Sequence, residues 1–284
     1  MVIPEEEIVK SAGSPGSFVG ISSKIYLMKY LKASHLQPTL LVTLLSFLFA
    51  HSFFSYPQAT LVALTVFTGQ LIVGWSNDLI DTESDRLQNR IEKPLVSGVL
   101  THEQLKLALL IDLPVCALLS LLGPLGVRGG LLHLFGVGCG VAYNSFFKST
   151  IFSVLPYVLA FSALPATPYV AKGLIPPLWI VIVGGVFGVI GHFANVLKDI
   201  DQDRAVGITG LPQRLGTRIS VLVCVTSLIV ITPLIAAQRP SFVILLAIGL
   251  VVAMIVLMIK PKQLGFQAIM ALALFDVLIM ATTS

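Results

Sequence analysis

The sequence predicts an all-α polytopic membrane protein, a bundle of about nine transmembrane helices with two long loops capping one side. Three observations carry that reading. Of 284 residues, 56% are hydrophobic and only 11% charged, less than half the charge of a soluble domain, which is about 25%. The apolar residues form runs of about 20, the length needed to cross a hydrocarbon core. Stretches such as 40–50 and 243–259 are apolar on every face, which excludes the alternating strands of a barrel and leaves helices, whose backbone satisfies itself in lipid.

In chain order, residues 1–30 read as a flexible N-terminal lead, with Ser11–Ser17 (Ser-Ala-Gly-Ser-Pro-Gly-Ser) at its centre. They lack the apolar stretch of a cleaved signal peptide. Residues 31–284 read as a single transmembrane domain. Its expected spans are about 36–55, 58–79, 105–123, 129–146, 151–170, 175–196, 218–236, 241–259 and 264–281. Pro57, Pro124, Pro240 and Pro261 mark joins, where proline cannot continue a helix. Pro114, Pro156 and Pro165 fall inside spans and predict kinks. Cys116, Cys139 and Cys224 are odd in number and scattered, so they read as inert buried thiols.

Basic residues orient the stack. With the N-terminus on the cytoplasmic side, 15 of the 18 Lys and Arg fall in inside segments and only Arg128, Lys172 and Arg239 outside, as the positive-inside rule requires. The expected location is therefore the cell membrane, with the N-terminus and both long loops, about 80–104 and 197–217, in the cytoplasm. The net charge of +4 is a topology signal, and no nucleic-acid partner is expected.

Both loops carry one skeleton, Asn-x3-Asp-x3-Asp-Arg: Asn77, Asp81, Asp85 and Arg86, then Asn195, Asp199, Asp203 and Arg204. The offset of 118 residues also maps Pro94 onto Pro212 and Gly98 onto Gly216, which indicates a parallel internal repeat. At 3.6 residues per turn, positions four apart drift by only about 40°. Each motif is thus expected to align an amide oxygen and two carboxylates on one helical face. Carboxylates so crowded repel unless cations neutralise them. Oxygen ligands without Cys or His point to Mg²⁺, which commonly completes its shell with substrate phosphate. Arg86, Arg90, Lys93, Lys148, Lys198 and Arg204 lie on the same side, placed to clamp that phosphate.

These residues resemble the UbiA superfamily of intramembrane prenyltransferases. The first aspartate-rich motif of that family is matched by Asn77-Asp78-Leu-Ile-Asp81-Thr-Glu-Ser-Asp85, and the second by Asp199-Ile-Asp-Gln-Asp203. The flanks agree: Lys93-Pro94-Leu95 with Gly98, Leu211-Pro212 with Arg214-Leu215-Gly216, and Tyr143 with Lys148. The second motif is more similar to the dihydroxynaphthoate-prenylating branch. The start of the first span, where members often carry an Arg, departs from the pattern here as Lys32-Ala-Ser-His35-Leu-Gln-Pro38.

The resemblance implies a helical bundle around an apolar cavity open to lipid. It implies Mg²⁺ held by Asn77, Asp81, Asp85, Asn195, Asp199 and Asp203, and a polyprenyl diphosphate donor whose diphosphate Arg90, Lys93, Lys148 and Lys198 help to hold. An allylic carbocation would then attack a lipophilic or aromatic acceptor in the bilayer, with Asp81, Asp199, Lys148 and Tyr143 as the catalytic group and Tyr143 facing the cation. Two rivals are a membrane terpene cyclase and a cation-coupled transporter. The transporter fits less well, because such proteins place ionisable sites near the midplane.

Other residues read more plainly. Asp112 and Asp276 are ionisable groups within apolar spans; the first is expected to face a cavity or partner, the second to make a structural hydrogen bond. His192, one turn before Asn195, reads first as a packed, hydrogen-bonded histidine. His51 and His133 read as structural or interfacial. The glycines of Gly184-Gly185…Gly188…Gly191 and Gly136…Gly138…Gly140 suit close helix packing.

Overall fold

The computed structural model describes residues 28–281, so nearly all of the expected N-terminal lead lies outside the described residues. Among these there is no strand. A short helical stretch at 28–33 leads through His35, whose φ of 56° breaks the helix, into α1 (Leu36–His51). Then come α2 (Tyr56–Leu87), α3 (His102–Leu122), α4 (Gly126–Ala142) with a π-helical turn at Tyr143–Phe147, and α5 (Leu155–Ala171). The second half holds α6 (Leu178–Leu197), the short α7 (Ile200–Ala205), α8 (Leu211–Gln238), α9 (Val243–Ile259) and α10 (Pro261–Ala281).

By length and composition seven helices suffice to cross a membrane: α2, α3, α4 with its π turn, α6, α8, α9 and α10. The other two expected spans are present as shorter apolar helices, α1 and α5. The helix starts follow local chemistry. Thr101 Oγ1 accepts the Gln104 N–H at 3.2 Å while Gln104 Oε1 accepts the Thr101 N–H at 3.2 Å, a capping box that begins α3. Pro57 and Pro156 lie in the first turns of α2 and α5. The kink expected at Pro156 is therefore replaced by a helix start, where the missing N–H is harmless. Pro114 and Pro165 do lie inside their helices.

Neighbouring helices pack in the order α1, α2, α4, α5, α6, α10 and back to α1, a closed inner ring. Outside it, α3 lies against α2 and α4, while α8 and α9 lie against the α6–α10 side. The largest apolar core fills that side, around Ile190, Leu197, Leu228, Ile231, Leu246 and Leu257. The motif-bearing helices α2 and α6 are opposite members of the ring.

The repeat is visible in the backbone. Gly98 and its counterpart Gly216 both take positive φ, 75° and 84°, a region that favours glycine, and Gly216 breaks α8 after its first turn. The first motif lies on one continuous helix, since α2 runs on to Leu87 rather than ending near 79. The second does not: α6 stops at Leu197, and Asp199 is the N-cap of α7. The single face expected for that motif is thus divided between two helices.

Close packing explains most of the glycines. A methyl group on Gly184 would fall 2.3 Å from the Phe161 carbonyl oxygen, and one on Gly188 2.5 Å from that of Tyr157. A methyl group on Gly140 would fall 2.6 Å from the Val73 side chain, whereas Gly136 and Gly138 have room. Among the histidines, His133 Nδ1 lies 2.9 Å from Ser120 Oγ, and His51 stacks on Phe47. Gly184→Ala and Gly188→Ala should each destabilise the α5–α6 contact by about 1–3 kcal/mol. Their thermal unfolding midpoints in detergent should fall, whereas that of Gly138→Ala should not; equal midpoints for all three would contradict this packing.

Candidate active site

The last turns of α2 carry the first motif to one end of the ring. Asn77 Nδ2 donates to Asp81 Oδ2 at 2.7 Å, and Lys148 forms an ion pair with the same carboxylate. Lys148 is placed by the π turn, in which its N–H donates to the Tyr143 carbonyl at 2.9 Å. Single π turns of this kind recur at functional sites. Asp78, 2% exposed, faces the other way: it pairs with Lys93 and, at 3.2 Å, with His35 Nε2.

Beyond α2, the loop 88–101 folds back over the ring. Asn89 takes a positive φ of 54°, and the Arg90 N–H donates to the Asp85 carbonyl at 3.0 Å. The turn aims the Arg90 side chain at the mouth. There its guanidinium lies 3.5 Å from Asp85, 3.5 Å from Asp199 and 3.9 Å from Asp203. One side chain from the first loop thus meets carboxylates of both motifs. Its Nη2 is buried without a hydrogen-bond partner, so it holds these acids by charge and retains a donor for another oxygen. Lys93 also reaches Asp85, at 3.8 Å.

On the second side, Asp203 is 8% exposed and accepts from Gln213 Nε2 at 2.9 Å. Burial pushes its carboxyl above the usual range, against the Gln213 hydrogen bond and the Lys148 and Arg90 charges. Tyr143, with Asp81 and Asp203 as charged neighbours, meets Tyr157 edge-on at 4.9 Å and His192 at 5.5 Å. Asn195 lies beside Tyr157. The donor set suits a hard divalent cation, being all oxygen, and three of its carboxylates already surround a guanidinium. Among the described residues, no three His, Cys, Asp or Glu side chains stand close enough together to hold a metal by themselves; basic groups stand between them.

Residues 39–272 match the model of the UbiA prenyltransferase family. The chain belongs to that family. It is a multi-pass membrane prenyltransferase. Its fold is similar to that of a UbiA homolog from Archaeoglobus fulgidus bound to GPP and Mg²⁺, with TM-score 0.69 and 17% identity over 90% of this chain and 100% of that one. An apo UbiA homolog from Aeropyrum pernix K1 gives TM-score 0.71 and 16% identity over 87% and 98%. A structure described for digeranylgeranylglyceryl phosphate synthase in membranes gives 0.60 and 17% over 90% and 96%. At such identities the likeness is one of fold. No curated protein matches the sequence.

Within this UbiA fold, Asn77, Asp81, Asp85, Arg90, Lys93, Tyr143, Lys148, Asn195, Asp199 and Asp203 gather at one end of the ring. Three other candidates are engaged elsewhere. Arg86 pairs with Glu83 at 2.7 Å on the surface. Lys198 lies over the Phe266 ring at 5.8 Å. Arg204 donates to the backbone carbonyls of Gln213 and Arg214, which ties α7 to the start of α8. Sequence reasoning gives no role to Asp78, His35 or Gln213. Asp78 lies inside the first motif, whereas nothing local marks His35 or Gln213 as partners of the aspartates.

Arg90→Gln should leave the Asp85, Asp199 and Asp203 carboxylates mutually repelling and lower stability by about 1–3 kcal/mol at neutral pH. That repulsion penalises the ionised cluster in the folded state, so the deficit should shrink as pH falls through the carboxylate range and the cluster takes up protons. Thermal unfolding of both forms at neutral and mildly acid pH checks this. A deficit that is constant with pH would show that Arg90 acts by packing alone.

Proposed function

We propose that this prenyltransferase transfers an isoprenyl group from a polyprenyl diphosphate to a lipophilic or aromatic acceptor, with Mg²⁺ bound and with release of diphosphate. The observation that carries this reading is the meeting of both acidic motifs with Arg90, Lys93 and Lys148 at one mouth of the ring. The homolog solved with GPP and Mg²⁺, and another structure with DMAPP and Mg²⁺, support the donor class and the cation.

Asn77, Asp81, Asp85, Asn195, Asp199 and Asp203 would hold Mg²⁺, which when bound neutralises the diphosphate and makes it a better leaving group. The rest falls to the chain itself. Arg90 and Lys93 offer charge-assisted donors to phosphate oxygens, and the unpartnered Arg90 Nη2 is already free to do so. Lys148, at the end of the π turn, can pass from Asp81 to a phosphate oxygen as the C–O bond ionises. The electron pair of that bond leaves with the diphosphate. The resulting allylic cation is faced by the Tyr143 ring, whose π face attracts positive charge. The acceptor then forms the new bond and loses a proton.

A cleft of about 350 Å³ lies where α1 meets α10, lined by Gln37, Leu40, Leu41, Leu44, Gln267 and Met270. The distribution of basic residues supports a cytoplasmic position for the motif end and its two loops.

Diphosphate release by the purified chain with geranylgeranyl diphosphate tests the reading. Release should require Mg²⁺ and an acceptor, and should stop on chelation. Asp81→Ala and Asp199→Ala should each lower it by about a hundredfold or more while leaving the protein folded. Full activity in both variants would sink the metal–diphosphate site; release with no acceptor would indicate cyclisation or hydrolysis instead.

A further inference from the structure

His192 lies on α6 one turn before Asn195 and is 1% exposed. Its two ring nitrogens are in different situations. Nε2 is 3.0 Å from Ser153 Oγ, whereas Nδ1 is sealed from solvent and has no hydrogen-bond partner.

Counting protons assigns the ring. Ser153 Oγ already accepts the Leu211 N–H at 2.9 Å, and its hydroxyl carries one hydrogen. Among the described residues, His192 Nε2 is the acceptor within its reach. The hydroxyl therefore donates to Nε2, and the neutral imidazole keeps its own proton on Nδ1. The outcome is a buried N–H donor with nothing to receive it. Native interiors rarely tolerate such a group, so this donor calls for a partner.

Its surroundings say what the donor serves. The Tyr157 ring is 4.8 Å away and that of Tyr143 5.5 Å, with Phe193 at 5.8 Å. Tyr143 in turn lies within electrostatic range of Asp81 and Asp203. The donor thus packs among aromatic rings near the diphosphate end of the site. The groups packed around His192 are aromatic rings with no cationic side chain among them, so the spot suits a flat ring with an oxygen substituent better than a second phosphate.

We propose that His192 is an acceptor-binding residue: its Nδ1–H donates a hydrogen bond to an oxygen substituent of an aromatic acceptor packed against Tyr143 and Tyr157. This rests on the prenyl-transfer reading above and adds the group that positions the acceptor. Ser153 fixes the tautomer, and its bond to the Leu211 N–H links His192 to the segment that follows the second motif.

The test uses the full chain with Mg²⁺, geranylgeranyl diphosphate and 1,4-dihydroxy-2-naphthoate as the probe acceptor. Two variants separate the nitrogens. His192→Asn keeps an N–H donor near the δ position but cannot reach Ser153; His192→Gln reaches toward Ser153 but lacks the δ donor. His192→Gln should raise the KM for the acceptor about tenfold, the worth of one hydrogen bond, with the KM for the donor unchanged. His192→Asn should retain an acceptor KM close to that of the parent.

The opposite ranking, or equal losses in both variants, would make His192 a strut to Ser153 and overturn the proposal. Donor binding is read separately, as a Mg²⁺-dependent rise in unfolding temperature with geranylgeranyl diphosphate. Donor binding with transfer to a glycerophosphate alcohol, or to no hydroxylated aromatic, overturns the acceptor assignment alone. Absence of donor binding overturns the prenyl-transfer reading beneath it.

Discussion

The site depends on a charge balance held across a gap. Helix α2 and the α6–α7 junction bring their acidic groups to the same mouth from opposite sides of the ring, so helix packing does not hold those groups together. Arg90 does, with Asp85 on one side and Asp199 and Asp203 on the other. At about 4 Å, opposite unit charges attract by about 4 kcal/mol at an effective dielectric near 20, and desolvation removes much of that. The net gain is modest. The alternative, several carboxylates in a half-buried mouth with no cation, is far worse. Folding of the first loop over the ring, with the positive φ of Asn89 and Gly98, is what delivers the cation to the gap.

The ring also separates two environments. Charged groups collect at the mouth, while the walls below are mostly apolar and close-packed, with α5 and α6 drawn together until carbonyls of one nearly touch the glycines of the other. An ionising bond needs charge stabilisation at the leaving group and protection from water at the carbon. An acidic and basic rim above an aromatic and aliphatic interior supplies both, and the boundary between them runs through Tyr143, whose ring belongs to the interior and whose neighbours Asp81 and Asp203 belong to the rim.

Much of this was legible in the sequence, because membranes demand long apolar helices and oxygen-ligand chemistry demands carboxylates at helical spacing. The repeat was legible too: pairing Gly98 with Gly216 from their offset alone matches a shared backbone conformation. What was not legible arose from tertiary contact. The extension of α2 to Leu87 depends on loop contacts beyond local hydropathy, which drops at Asn77. The break at Lys198–Asp199 is invisible in a motif spaced like a helix. Gln213 and His35 meet their aspartates only through folding, and Lys198 and Arg204, basic residues at the right place in the chain, are drawn to Phe266 and to backbone carbonyls instead.

Helical geometry splits the first motif into two lines of acid rather than one. Positions four apart drift by about 40°, so over eight residues Asp85 has turned about 80° from Asn77, while seven residues bring it within about 20° of Asp78. Asn77 and Asp81 accordingly face Lys148, whereas Asp78 and Asp85 share Lys93. This division assigns different work to neighbouring acids. Asp78, sealed beneath His35 and Lys93, anchors the first loop to α2. Asp81 and Asp85 stand at the mouth, each already holding a cationic side chain. On the proposed reading, a donor arriving with its Mg²⁺ exchanges partners with those side chains, moving lysine and arginine from carboxylate to phosphate. An exchange of that kind keeps the charge of the mouth balanced both before and after the substrate binds.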